Sequence, residues 1–390
     1  MAALLDADVL IAAARDATGL HDFGDEGWRD GLDHLVAGLC DEAALSDRGV
    51  MAAAGDLVAY LTSRLQVVDW HRRHRELAHD DVTPPIVIVG QARTGTTILF
   101  DLLAQDPGNR LPLTWEVDRP VPPPDTATYH TDPRIDEVQA QLDLVDLAIP
   151  GFKAMHAMGA RLGQECVRIT GGDFRSMIFP TQYRVPSYAR WLLDDADMTT
   201  AYRWHRRVLQ VLQSRHRGAR WVLKSPGHIW CLEALLAEYP GALLIQTHRD
   251  PLRVVASIAS LLTTLRRLAS DDTTLPGAAA EFADYLLDGF DRSVTARRNG
   301  VVPADRVVDV QFRAFVADPL ATVRTAYERF GFALSPAVEA RMQAFLAANP
   351  QEKHGGHRYA FADTGLDAGA MRERARRYQE YFDVPSEGLG

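Results

Sequence analysis

The stretch PPIVIVGQARTGTTILFDLLAQDP, Pro84 to Pro107, constrains this chain more than any other part of it. Ile86–Val89 is a short apolar run and predicts a buried strand. Gly90–Thr97 is a glycine-bearing turn, and Ile98–Ala104 reads as the start of a helix. A strand, a glycine loop and a helix in that order bring free backbone N–H groups and a positive helix end to one point, which suits an anion. A Walker A loop requires G-x-x-x-x-G-K-[ST]. The frame here is Gly90-Gln-Ala-Arg-Thr-Gly95-Thr96-Thr97, so the glycine spacing is kept. Thr96 stands where the lysine belongs, and a basic residue comes earlier, at Arg93.

Three more apolar runs each lead toward a helix. They are Trp221–Leu223, Ala242–Thr247 and Val307–Phe312. Each following helix opens with a cap residue and a proline: Ser225-Pro226, Asp250-Pro251 and Asp318-Pro319. Ser or Asp at the cap accepts an orphan N–H, and proline suits the first helical position. Alternating strands and helices predict an α/β, P-loop-like, three-layer fold: a mostly parallel central sheet with helices on both faces. Ligands of such sheets bind beyond the carboxyl ends of the strands. Arg93, Lys224, His248 and Arg249 come just after the predicted strands.

Residues 1–80 read as an N-terminal helical extension, with apolar positions such as Val9, Leu10, Ala13, Leu32, Leu35, Val36 and Leu39. Its closing charged run, HRRHRELAHDD, reads as a solvated helix face. Residues 81–390 form the α/β domain, with an insertion at about 115–210. The insertion opens with a proline-rich loop and continues in helical patterns rich in Met and aromatics. Phe152, Met155, Met158, Phe174, Met177, Ile178, Phe179, Tyr183, Tyr188 and Trp191 either line an apolar ligand pocket or form plain core. Helices are also predicted at Ser335–Ala348 and Ala368–Phe382, separated by the loop NPQEKHGGHRYAF.

The net charge of −10 argues against nucleic acid or an anionic membrane as partner. No apolar run is long enough to span a bilayer. The N-terminus lacks a basic region and carries Asp6 and Asp8, so it reads as an amphipathic helix, not a signal peptide. Three widely separated cysteines, Cys40, Cys166 and Cys231, point to a reducing cytoplasm and make no metal spacing. Against this acidic background, Arg93, Lys224 and Arg249 gather positive charge at successive strand ends, which suggests a multiply charged anion. Arg253 and Ser257 share one face of the helix after Asp250, so Arg249 and Ser257 offer a second phosphate site.

GQARTGTT, followed by WVLKSPGHIWCLEALLAEYPGALLIQTHRDPLRVVAS, resembles the sulfotransferases that use 3′-phosphoadenosine 5′-phosphosulfate (PAPS). The likeness is nearest to the branch containing tyrosylprotein sulfotransferases and many bacterial proteins, and covers residues 84–110 and 220–332 well. It implies a loop that binds a 5′-phosphosulfate, with no γ-phosphate or Mg²⁺ to serve, which explains the missing lysine. It implies that Arg93, Thr94, Gly95, Thr96 and Thr97 hold the 5′-phosphate, that Arg249 and Ser257 hold the 3′-phosphate, and that Lys224 contacts the sulfuryl group and bridging oxygen. Glu116 matches the general base of the tyrosylprotein branch, with His228, His248 and His156 in reserve and Glu165 as a carboxylate to orient an acceptor. His228 reads equally well as a packed helix residue. From the late basic loop, Lys353 or Arg358 is expected on the 3′-phosphate.

The expected activity is sulfuryl transfer from PAPS to a hydroxyl of a small, lipophilic acceptor, without a metal. A kinase or NTPase is the rival enzyme reading, weakened by Thr96 and by the lack of a Walker B Asp. A nucleotide-binding module without catalysis is the third, weakened by Arg93, Lys224 and Glu116 all being present. A second copy of the chain remains open as a partner.

Overall fold

The computed structural model describes residues 4–25, 27–148, 158–350 and 359–389. At its centre lies a five-stranded sheet, and every strand pairing in it is parallel. The strands are β1 (Ile86–Val89), β2 (Asn109–Arg110), β3 (Arg220–Lys224), β4 (Leu243–His248) and β5 (Val307–Gln311). Their spatial order is β2-β3-β1-β4-β5. Four strands lie where the apolar runs predict them. β2 escapes prediction because two polar residues carry no periodicity; its pairing with Arg220 and Trp221 defines it.

Alternation along the strands divides the core between the two faces of the sheet. Val87, Val89, Leu223 and Leu244 pack with Leu209, Leu212, Leu235 and Tyr239 on one side. Ile86, Ile88, Val222 and Ile245 pack with Leu99, Phe100, Phe315 and Tyr327 on the other. Helices therefore cover both faces. All four side chains of β1 are fully buried, each contributing roughly 1.5–3 kcal/mol.

The N-terminal residues form α1 (Ala7–Thr18), α2 (Gly27–Asp41) and α3 (Asp47–Arg73). Asp6 caps α1 and Ser46 caps α3. Leu10, Leu32, Leu35, Leu57 and Leu61 share one hydrophobic cluster with Phe174, Phe179, Tyr188, Leu252 and Phe282. The aromatic residues of the insertion thus pack as core against the N-terminal helices, with Tyr60 5.5 Å from Phe179, ring to ring. Phe152 and Met155 lie outside the described residues.

After β1 comes α4 (Thr96–Leu103). The insertion contributes α5 (Thr114–Asp118) and α6 (Cys166–Thr170) among others. Beyond β3, Ser225 caps a single 3₁₀ turn, Pro226–Trp230, before helix resumes at Leu232. Asp250 caps α7 (Pro251–Arg266), accepting from the Leu252 N–H at 3.0 Å. α8 (Leu275–Arg298) and α9 (Ala368–Phe382) pack beside it. No helix among the described residues is long and apolar enough to cross a membrane.

Candidate active site

The register of the sheet aligns the strand ends that matter. Ile88 of β1 pairs with Lys224 of β3, and Val89 pairs with Gln246 of β4. The chain leaves β1 with β3 on one side and β4 on the other, and a crevice opens at such a reversal. The Gly90–Thr97 loop occupies it. Gly90 has φ +133°, and a Cβ there would sit 2.4 Å from Thr247 Oγ1 and 2.7 Å from the Thr247 carbonyl oxygen. Only glycine lets the loop lie this close to β4. Gly95, at φ +92°, caps α4 over Phe312 and Phe315, and Arg93 has φ +70°.

The loop residues divide by direction. Thr94 is fully buried; its hydroxyl donates to the Gln91 carbonyl at 2.6 Å and lies 2.6 Å from Thr247 Oγ1. Its side chain shapes the loop from beneath. Thr96 is buried and Thr97 is exposed at the loop's rim. Lys224 Nζ reaches Thr97 Oγ1 at 3.4 Å and Glu165 Oε1 at 2.7 Å. The lysine stem is almost fully buried, and Phe100 lies 5.3 Å from its ammonium.

Glu165 reaches Lys224 because the insertion is pinned beside the sheet. Gly163 pairs with Leu113 in an isolated antiparallel bridge, and the Gln164 N–H donates to the Pro112 carbonyl at 2.7 Å. A Cβ at Gly163 would meet the Phe100 ring at 2.4 Å, so the segment lies directly on that side chain. Asp101, one turn from Thr97 on α4, is raised from its usual pKa by burial and lowered by Lys224, with burial the larger effect.

Glu116 stands in a different setting. It is fully buried. Arg110 Nη2 donates to Oε1 at 2.6 Å, while the Leu113 N–H and Tyr129 hydroxyl donate to Oε2 at 2.8 and 3.3 Å. Burial raises its pKa and Arg110 opposes that rise. These bonds tie β2 to α5 and brace the strand-like stretch that holds Gly163. The structure brings Glu165, and not Glu116, to Lys224. His228 is also enclosed, with Nδ1 2.7 Å from the Tyr202 hydroxyl. Burial pushes its pKa down to about 3, so its imidazole is neutral. His248 lies between Tyr378 and Asp309. His156, Lys353 and Arg358 fall outside the described residues.

On the β4 side, Arg93 Nε donates to Ser257 Oγ at 3.1 Å, and Arg249 Nη1 donates to the Arg93 carbonyl at 2.9 Å. Arg93 thus links Arg249 to Ser257, the two residues that the motif spacing pairs, whereas the resemblance sets Arg93 with the 5′-phosphate. Burial lowers the Arg93 pKa, Tyr359 opposes this and Arg249 adds to it. Arg249 also lies 4.0 Å above the Phe312 ring and forms a two-bonded pair with Glu387, which no sequence motif marks. The arrangement offers two anion positions, one at the loop and Lys224, one at Arg249 and Ser257. A carboxylate stands beside the first.

Comparison with known proteins agrees with this fold. An omega-hydroxy-beta-dihydromenaquinone-9 sulfotransferase, Stf3, of Mycobacterium bovis is 26% identical over 281 residues, covering 69% of this chain and 68% of the relative. The crystal structure of sulfotransferase STF9 from Mycobacterium avium superposes with a TM-score of 0.89 at 30% identity, covering 98% of this chain and 97% of that one. Sulfotransferase STF1 from Mycobacterium tuberculosis H37Rv gives 0.84 at 31% identity, covering 94% and 97%. The profile of the sulfotransferase family matches residues 84–336, which contain the loop, Glu165, Lys224, Arg249 and Ser257, and the chain belongs to that family: it is a sulfotransferase.

Proposed function

We propose that the chain transfers the sulfuryl group of PAPS to a hydroxyl of a lipophilic small molecule, with Glu165 as the general base. One observation carries this reading: Glu165 lies 2.7 Å from Lys224 at the rim of the phosphate loop. A base must stand within reach of both acceptor and reacting centre. Glu116 has its oxygens committed to Arg110, Leu113 and Tyr129, and His228 is enclosed.

In this reading the loop N–H groups and Thr96–Thr97 hold the 5′-phosphosulfate, and Arg249, Ser257 and Arg93 hold the 3′-phosphate. The acceptor oxygen bonds to sulfur as its proton passes to Glu165. The sulfur–oxygen bond to the 5′-phosphate breaks, and that oxygen leaves with the electron pair. Lys224 and the loop stabilise the charge that develops there. The name of the M. bovis relative, whose acceptor is a hydroxylated menaquinone, supports a lipophilic alcohol as acceptor class. Free thiols at Cys40, Cys166 and Cys231 support a reducing compartment such as the cytoplasm.

Calorimetric titration with adenosine 3′,5′-bisphosphate, adenosine 5′-phosphate and Mg-ATP tests the donor. The bisphosphate is expected to bind most tightly. Preference for Mg-ATP would replace this reading with phosphoryl transfer.

A further inference from the structure

Resting on the donor reading, in which Arg249 meets the 3′-phosphate, we infer that Glu387 in the C-terminal tail is a positioning residue for Arg249. A guanidinium carries five N–H donors. Glu387 takes one edge of this one: Oε1 accepts from Nε at 3.2 Å and Oε2 from Nη2 at 3.4 Å. Nη1 donates to the Arg93 carbonyl at 2.9 Å, and Phe312 closes one face at 4.0 Å. Among the described residues three donors are thus engaged, which leaves two for an incoming anion. The side chains of Arg249 and Glu387 are only 13% and 16% exposed, so the pair is poorly screened by water.

Glu387 is itself held. Its backbone N–H donates to Asp250 Oδ2 at 2.6 Å. Asp250 is fully buried, caps α7 and takes a two-bonded ion pair from Arg372 of α9, with Nη2 to Oδ2 at 2.7 Å. The same helix, α7, bears Ser257. One continuous set of bonds therefore runs from α9 through the helix cap and the tail to the guanidinium. A free arginine must give up rotamer freedom to bind a phosphate, whereas one already fixed gives up little. Glu387 leaves the two remaining donors available while fixing the direction in which they point.

The test uses the full chain carrying Glu387→Ala, Glu387→Gln or Glu387→Asp. Calorimetry measures adenosine 3′,5′-bisphosphate and adenosine 5′-phosphate on each, and kinetics measure KM for PAPS and kcat. Glu387→Ala and Glu387→Gln should weaken the bisphosphate about three- to tenfold and leave the 5′-phosphate alone. KM should rise with kcat nearly constant, and Glu387→Asp should recover part of the loss. The tail keeps its other anchors, Gln379 to the Val384 carbonyl at 3.0 Å and Arg313 to the Ser386 carbonyl at 3.2 Å, so the variants should fold. Unchanged or tighter bisphosphate binding overturns the inference, tighter binding marking Glu387 as a competitor of the phosphate. Equal losses for both nucleotides also overturn it, as general damage. A wild-type chain that does not distinguish the two nucleotides overturns the donor reading beneath it.

Discussion

Glu116 lies 2.6 Å from Arg110 and Glu165 lies 2.7 Å from Lys224, so distance alone does not tell the two carboxylates apart. Their surroundings do. Arg110 and Glu116 are both almost wholly buried, and Arg110 Nε has no hydrogen-bond partner among the described residues. Removing one charge from such a pair strands the other, at a cost of about 3–5 kcal/mol. Glu116→Gln is therefore expected to lower the denaturation midpoint sharply, read by urea unfolding. Glu165 is 19% exposed beside the loop. Glu165→Gln should keep its fold and its bisphosphate affinity and lose turnover by about a hundredfold or more. A stable but inactive Glu116→Gln, beside an active Glu165→Gln, would reverse the two roles. Arg249→Ala should weaken the bisphosphate by about ten- to a hundredfold, the loss of a charge-assisted bond, and an unchanged affinity would remove it from the 3′-phosphate. The cations were legible in the sequence because each follows its own strand. The Glu165–Lys224 pair was not, because the two meet only across a long insertion whose path no local pattern reveals.

At the scale of elements, strands with apolar runs and helices with a cap and proline could be read directly, since those signals are local. β2 could not, being defined by its neighbour. The segment after β3 has the sequence pattern of one helix but forms a 3₁₀ turn and then a helix, a break that places His228 inward. His228 faces Tyr202, and nearby His205 has Nδ1 2.7 Å from the Tyr239 hydroxyl. Burial pushes both rings down to a pKa of about 3. The unfolded chain binds protons at these rings near the ordinary value of about 6.5, so between that pH and about 3 it carries more protons than the folded one. Stability is then expected to fall as pH drops through this window, by up to about 1.4 kcal/mol per pH unit per ring. Thermal unfolding followed from pH 7.5 to pH 4.5 checks the slope. His228→Gln should flatten it and leave turnover intact. A slope unchanged in that variant would mean that the ring titrates freely, and lost turnover in a folded protein would return His228 to the chemistry.

Taken as a whole, the molecule raises the question of whether its first 80 residues are an appendage. Their helices were legible from apolar spacing, but spacing does not say what a helix packs against. Leu10, Leu32, Leu35, Leu57 and Leu61 are buried in the cluster that contains Phe174, Phe179, Leu252 and Phe282. Arg64 of α3, only 2% exposed, donates to the Phe23 and Gly172 carbonyls at 2.8 and 3.0 Å and to Asp173 Oδ1 at 3.1 Å. Its guanidinium also lies 4.5 Å over the Trp204 ring. A fragment of residues 81–390 would expose those aromatic rings and leave Asp173 with Arg175 and Thr200 but without Arg64. At roughly 1.5–3 kcal/mol for each large apolar side chain, the loss is comparable to the roughly 5–15 kcal/mol that keeps a typical domain folded. The fragment is expected to aggregate or to lack a cooperative transition, by size-exclusion chromatography and near-ultraviolet circular dichroism. Arg64→Ala in the full chain tests the same packing more gently, with an expected loss of about 3–5 kcal/mol. A soluble, cooperatively melting fragment that still binds the bisphosphate would instead make residue 80 a true domain boundary. The α/β part would then stand alone, and the buried face of α1–α3 would be a docked surface instead of a share of the core.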